Sequence, residues 1–191
     1  TVFDSPRDKI VFDVSHQCYP HKMLTGRAGA YTRAAEYNDV SGFTNTDESA
    51  HDIFNIGHTS TSISLASGLA KARDLAGGTE NIIAIIGDGS MSGGEALEGL
   101  NVVGEMSTNC IIVFNDNDQS ISENHGGMYR KFKELRETNG QAEDNLFRAM
   151  GLRYRYVADG NDAEALIRVF SEEKDSTSPV VIHIHTTKGK G

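Results

Sequence analysis

The chain has 191 residues, 38% of them hydrophobic, with 18 Lys+Arg against 27 Asp+Glu and a formal charge of −9. That balance argues against a basic nucleic-acid footprint, and aliphatic runs of about five residues fall far short of the roughly 20 that a membrane span needs. Cys18 and Cys110 stand far apart in unlike contexts, which predicts reduced thiols in a cytoplasmic protein rather than a disulfide framework.

In chain order, IVFDV at 10–14 predicts a short buried strand. SHQCYPHKMLTGR follows as a polar loop with Pro20 inside it, then a short helix. Residues 28–55 show no clean period and read as loop with brief helical turns. Thr59 or Ser60 is placed to cap a helix running to about Ala76. Its apolar positions Ile63, Ala66, Leu69 and Ala70 follow helical spacing, and Gly77-Gly78 ends it. Strand 82–86, loop 87–93 and helix 94–106 come next, then strand 110–114. Helices are expected at 128–138, 142–150 and 162–174, with strands at 153–157 and 180–185. Strands alternating with helices predict a single α/β domain, a parallel sheet with helices on both faces and right-handed crossovers. The abrupt ends, Thr1 to Pro6 without a cap and a tail that stops just after a strand, predict a fragment of a larger multidomain enzyme. Ligands in such sheets sit beyond the carboxyl ends of the strands, which puts 15–19, 87–89 and 115–119 on one rim.

The stretch IIAIIGDGSMSGG is strand, glycine turn, helix, the layout of a phosphate loop, yet Asp88 stands between the glycines. A dinucleotide loop would use Gly87, Gly89 and Gly93, but an acid inside the turn repels a pyrophosphate, and Asn115 stands where a ribose-binding acid belongs. A bridging hard cation removes the conflict. Mg²⁺ takes about six oxygens, commonly one or two carboxylates plus phosphate oxygens. Asn117, 29 residues after Asp88 and one helix and one strand later, offers a second, neutral ligand on the same rim. The plainer alternative is that Asp88 caps a helix and Asn117 turns the chain.

Gly-Asp-Gly followed by this Asn resembles the thiamine diphosphate signature. With DVSHQCYPHKMLTGR, SGF, GHTSTSISLASGLAKARD, IGDGSMSGG and FNDNDQSISEN in order, the chain resembles the first domain of the 1-deoxy-D-xylulose-5-phosphate synthases, in the transketolase superfamily. The likeness runs from about Ile10 to Asn124, and more loosely from VADGNDAEALI to HTTKGKG. It implies a thiamine diphosphate-binding, transketolase-like fold. It also implies Mg²⁺ held by Asp88, Asn117 and the Gln119 carbonyl, with Gly89 and Ser90 against the diphosphate. Gly57, His58 and Thr59 match a cofactor loop, and His16 matches an active-site histidine that contacts substrate or moves protons. His16 and His58 are thus the catalytic candidates. His21, His51, His125, His183 and His185 read as structural or solvated, and Lys188 and Lys190 as a flexible tail rather than phosphate ligands.

The implied reaction joins the two-carbon unit of pyruvate to glyceraldehyde 3-phosphate with loss of CO₂, within isoprenoid and thiamine biosynthesis, in a homodimer. The family's aminopyrimidine-activating glutamate belongs to a second domain, so this chain alone is expected to be inactive. Ser15 and Thr59 stand where the family has Gly and Ser. TNTDES replaces basic residues after SGF, and the segment after SISENHGG is short. The alternatives are the N-terminal subunit of a split transketolase, or a cofactor-binding module without catalysis.

Overall fold

A computed structural model of the chain describes residues 1–119 and 124–190. Residues 120–123 of the last motif lie outside the described residues, as does Gly191. The elements run β1 (Lys9–Phe12), α1 (Tyr19–Lys22), α2 (Gly29–Thr32), α3 (Ser62–Leu75), β2 (Ile82–Gly87), α4 (Asp88–Met91), α5 (Gly94–Glu105), β3 (Ile111–Asp116), α6 (Gly127–Glu137), α7 (Leu146–Ala149), β4 (Arg153–Val157), α8 (Ala163–Glu173) and β5 (Val180–His185). The strands form one parallel sheet in the order β1-β2-β3-β5-β4. No described helix is long and apolar enough to cross a membrane, and both cysteines are free and buried.

Strand side chains alternate between two cores, as the period of two requires. Ile82, Ala84, Ile86, Ile112 and Phe114 enter the larger core with Ile63, Ala66, Leu100, Phe132 and Phe147 from α3, α5, α6 and α7. Ile83, Ile111, Val113, Ile182 and Ile184 point the other way, against Val169 and Phe170 of α8 and Phe3. Helices therefore cover both faces. Helices α3 and α5 approach closely because Gly99 has no side chain: a Cβ there would lie 2.9 Å from Ile63 Cγ2 and from the Ser64 nitrogen.

Several boundaries differ from the sequence expectation. The strand expected at 10–14 ends at Phe12, because Val14 and Ser15 turn the chain at φ 58° and 76°. Ser15 holds this left-handed backbone, which favours glycine, by donating its hydroxyl to the Ile56 carbonyl at 2.6 Å. Neither Thr59 nor Ser60 caps α3 with its side chain; Thr61 is the N-cap residue and makes no such bond. The distant Asp13 carboxylate instead accepts the Ser60 and Ser62 amides at 2.9 and 3.0 Å. The loop expected at 87–93 contains the helical turn α4. β3 runs two residues beyond the expected end because Asn115 and Asp116 pair with Ile184 and His185 of β5. The helix expected at 142–150 contracts to α7, which Asn145 caps through the Phe147 and Arg148 amides.

The aperiodic stretch 28–55 is fastened by charge. Lys22, fully buried, reaches Glu48 at 2.7 Å and the Ser41 carbonyl at 2.9 Å. Arg27 makes a two-pronged bond to Asp52 at 2.7 and 2.8 Å and touches Glu48 at 3.2 Å. Burial pushes Asp52 upward, but the Arg27 hydrogen bonds, the Asn45 amide and the Lys22 charge together hold it below its ordinary value. Glu48 behaves alike through Lys22 and the Ser41 amide.

Two outcomes follow from this cluster. Arg27→Met leaves Asp52 short of its main partner and should cost about 3–5 kcal/mol in chemical denaturation. Because both carboxyls are lowered in the fold, their contribution is complete above the unfolded value and lost as pH falls. Hydrogen exchange in residues 41–56 should therefore accelerate below about pH 4, whereas equal protection at pH 3 and pH 7 would contradict the role given to the cluster.

Candidate functional site

The carboxyl ends of β1, β2 and β3 open onto one cavity of about 490 Å³, whose wall includes His16, Thr59, Asp88, Gly89, Ser90, Asn117 and Gln119. The register sets this up, since Gly87 pairs with Asn115 and the two loops leave the sheet side by side. A larger groove of about 830 Å³ between α3 and α5, lined among others by Ser67, Lys71, Val102 and Glu105, holds none of the expected site residues.

Of the residues expected from the sequence, Gly57 and His58 are not in the wall. Both are exposed. His58 Nδ1 donates to the Thr59 carbonyl at 2.7 Å. The wall also includes Gln17, Asn115, Asn124, Tyr129 and Lys188. Lys188, read from sequence as tail, lines this cavity, because β5 lies beside β3 and delivers it to the same rim. Desolvation by burial, joined by the Lys188 charge, pushes the His16 imidazole below its ordinary value against the pull of Asp13.

Asp88 is 2% exposed and follows Gly87, the N-cap of α4. Its Oδ1 accepts the Gly89 amide at 2.8 Å and its Oδ2 the Asn124 amide at 2.9 Å. No described Lys, Arg or His pairs with it within 4.0 Å. Burial pushes its pKa up to about 6, with Asp116 and Asp118 adding to the rise. Asp8, Asp52 and Asp116 are as deeply buried, yet their hydrogen bonds and charged neighbours hold them low. Asp88 is thus a buried acid with no described basic partner, bonded by the Asn124 side-chain amide and sharing its cavity with Asn115, Asn117 and Gln119.

That donor set, one carboxylate and neutral amide oxygens, fits a hard divalent cation. Asn117 Oδ1 accepts the Gln119 amide at 3.2 Å and keeps a second lone pair. What Gln119 presents in this bond is its N–H; the ligand expected from the sequence is its carbonyl. Among the described residues no cluster of three His, Cys, Asp or Glu could hold a metal, and the expected set needs only one of those residue types.

The glycines of the loop do different work from a dinucleotide fingerprint. A Cβ at Gly93 would lie 1.9 Å from Ser60 Oγ. That hydroxyl donates to the Ser90 carbonyl at 2.8 Å, tying the start of α3 to the β2 loop.

A family model described as 1-deoxy-D-xylulose-5-phosphate synthase matches residues 1–143 and 137–186. The synthase of Halalkalibacterium halodurans is 41% identical over 227 positions, covering 100% of this chain and 36% of its own length. That of Thermus thermophilus is 39% identical over 223 positions, again covering 100% of this chain and 36% of its own length. Both alignments are longer than the 191 residues here, in keeping with the shortened segment. Transketolase from Leishmania mexicana shares the fold, with a TM-score of 0.68 at 19% identity over 94% of this chain and 28% of that one.

Asp88→Asn preserves the acceptor for the Gly89 amide while deleting the charge. A carboxyl whose folded pKa is raised is penalised above that value and not below its unfolded one. At pH 8 without metal the variant should gain about 1–3 kcal/mol in thermal or chemical denaturation, and the gain should fade toward pH 4. Its stabilisation by Mg²⁺-pyrophosphate should vanish. A variant that keeps the full ligand-induced shift would make Asp88 a helix-start residue only.

Proposed function

The chain belongs to the 1-deoxy-D-xylulose-5-phosphate synthase family, and on that premise we propose that it is the diphosphate- and Mg²⁺-binding domain of a thiamine diphosphate-dependent transferase. The whole enzyme condenses pyruvate with glyceraldehyde 3-phosphate, releasing CO₂, in the cytoplasmic synthesis of isoprenoids and thiamine, and works as a homodimer. The observation that carries this reading is the convergence of Asp88, Gly89, Ser90, Asn117 and Lys188 on one cavity at the carboxyl ends of the strands.

When bound, thiamine diphosphate supplies the nucleophilic carbon and electron sink for two-carbon transfer. Asp88, Asn117 and the Gln119 carbonyl hold Mg²⁺. Gly89 and Ser90 approach the diphosphate, where backbone amides at a strand-to-helix turn favour an anion, and Lys188 adds positive charge. His16, kept neutral at pH 7 by its lowered pKa, accepts or passes a proton at the substrate. Gly57 and His58 lead into Thr59 from the exposed side of the cofactor loop.

The chain spans 36% of the length of these relatives. The domain that grips the aminopyrimidine and supplies its activating acid is therefore provided in cis or by a second chain. Purified alone with thiamine diphosphate, Mg²⁺, pyruvate and glyceraldehyde 3-phosphate, the chain should release no CO₂ above background. In calorimetric competition, Mg²⁺-pyrophosphate should bind within about tenfold of the intact cofactor, a difference of roughly 1.4 kcal/mol, because the diphosphate end is what this domain holds. Steady turnover by the isolated chain, or a much larger preference for the intact cofactor, would contradict the division of labour. No pyrophosphate binding at all would contradict the site.

A further inference from the structure

Asn117 sits in a turn that is unfavourable on its own: Asp118, the next residue, has φ 60°, a left-handed conformation that a side chain disfavours. Both neighbours of Asn117 are gripped from other elements. Asp116, fully buried, accepts His183 Nε2–H from β5 at 2.9 Å. The opposite ring nitrogen of His183, also fully buried, accepts the Tyr154 hydroxyl of β4 at 2.7 Å. A carboxylate only accepts, so Nε2 carries the hydrogen and Nδ1 takes that of tyrosine. From α6, Arg136 meets the same Asp116 oxygen at 2.6 Å and the Asp118 carboxylate at 2.8 Å. The remaining Asp116 oxygen accepts the Asp118 amide at 3.1 Å and closes the turn.

We propose that His183 and Arg136 are positioning residues for Asn117, holding its two acidic neighbours so that its amide oxygen stays aimed at the cation beside Asp88. This rests on the cation reading given above. Neither residue is in the cavity wall, so each acts through Asp116 or Asp118. The pull comes from two directions, a strand on one side and a helix on the other. Either clamp alone leaves the turn free to pivot about the other.

The test is calorimetric titration of Mg²⁺-pyrophosphate into the full chain, well below its melting temperature. Wild type is compared with His183→Leu, His183→Gln, Arg136→Gln and the Leu/Gln double. His183→Leu and Arg136→Gln should each weaken binding about tenfold or more, the usual scale for residues that orient a metal ligand. His183→Gln, which returns an amide donor toward Asp116, should recover to within about threefold. The double should lose less than the product of the single losses, since one turn is released. A purely structural role would lower the melting temperature and leave the affinity of the folded chain unchanged, and that result overturns the proposal. Should His183→Leu fail to fold, Arg136→Gln decides, because Arg136 lies on the outer helix. Wild type that fails to bind overturns the cation reading and this inference with it; wild type that binds, with variants that bind equally well, overturns this inference alone.

Discussion

Two parallel strands pair in register at Gly87 and Asn115, and the site depends on that pairing. Because β2 and β3 run the same way, the chain leaves both at the same end of the sheet. Residue 88 and residue 117 thus approach each other without either loop having to be long. A shift of one residue would turn the following side chains to the opposite face. The register is protected by burial on both sides: Ile82, Ala84 and Ile86 fill one core while Ile83 fills the other. No face is left to tolerate a slip. The hydrophobic alternation that builds the sheet is therefore also what brings the carboxylate and the amide to one cavity.

The buried charges divide into groups with different physics. Lys22, Arg27, Glu48 and Asp52 compensate one another and fasten a segment with little regular structure. Asp116 is compensated by Arg136 and His183. Asp13 is satisfied by two backbone amides at the start of α3. Asp88 has hydrogen bonds but no described basic partner, and its pKa is raised while those of Asp52 and Asp116 are depressed. Deep burial of a lone charge is costly unless something else neutralises it. Among the described residues, Asp88 differs from Asp52 and Asp116 in having no basic side chain within ion-pair distance, which is the feature that the proposed cation would answer.

The strands and long helices were legible in the sequence because their periodicity is local. Parallel strands read as short apolar runs, and α3, α5 and α8 end within about two residues of expectation. What escaped the sequence was made by distant partners. Nothing local marks Lys22 as buried; its partners Glu48 and Asp52 are brought to it only by the fold. Thr59 and Ser60 look like caps, but Asp13, 47 residues from Ser60, does the capping. Lys188 sits among glycines and lysines with no local sign of function, and only the position of β5 beside β3 places it at the site. His183 reads as structural or solvated from sequence, and its bond to Asp116 needs the β3–β5 pairing to be seen. Of the residues named from motif order, Asp88, Gly89, Ser90, Asn117, Gln119, Thr59 and His16 line one cavity. Gly57 and His58 came with Thr59 from the match to the family's cofactor loop, and both are exposed and outside the cavity wall.

The charge balance of the cavity explains why an acid can stand inside a phosphate-type loop. Among the described residues the wall carries one carboxylate, Asp88, and one ammonium, Lys188. The chain as a whole is at −9, so its long-range field opposes an approaching anion. Walls with one charge of each sign within such a field hold a diphosphate poorly by themselves. Replacing Asp88 with a neutral residue would make the wall more positive, yet it would remove the one charged ligand for a divalent cation. A divalent ion, if held by Asp88 and Asn117 as proposed, would bring two positive charges to the rim, more than deletion of the acid could add. On the proposed reading the carboxylate is an indirect attractor: alone it would repel a phosphate, and through a bound cation it would attract one.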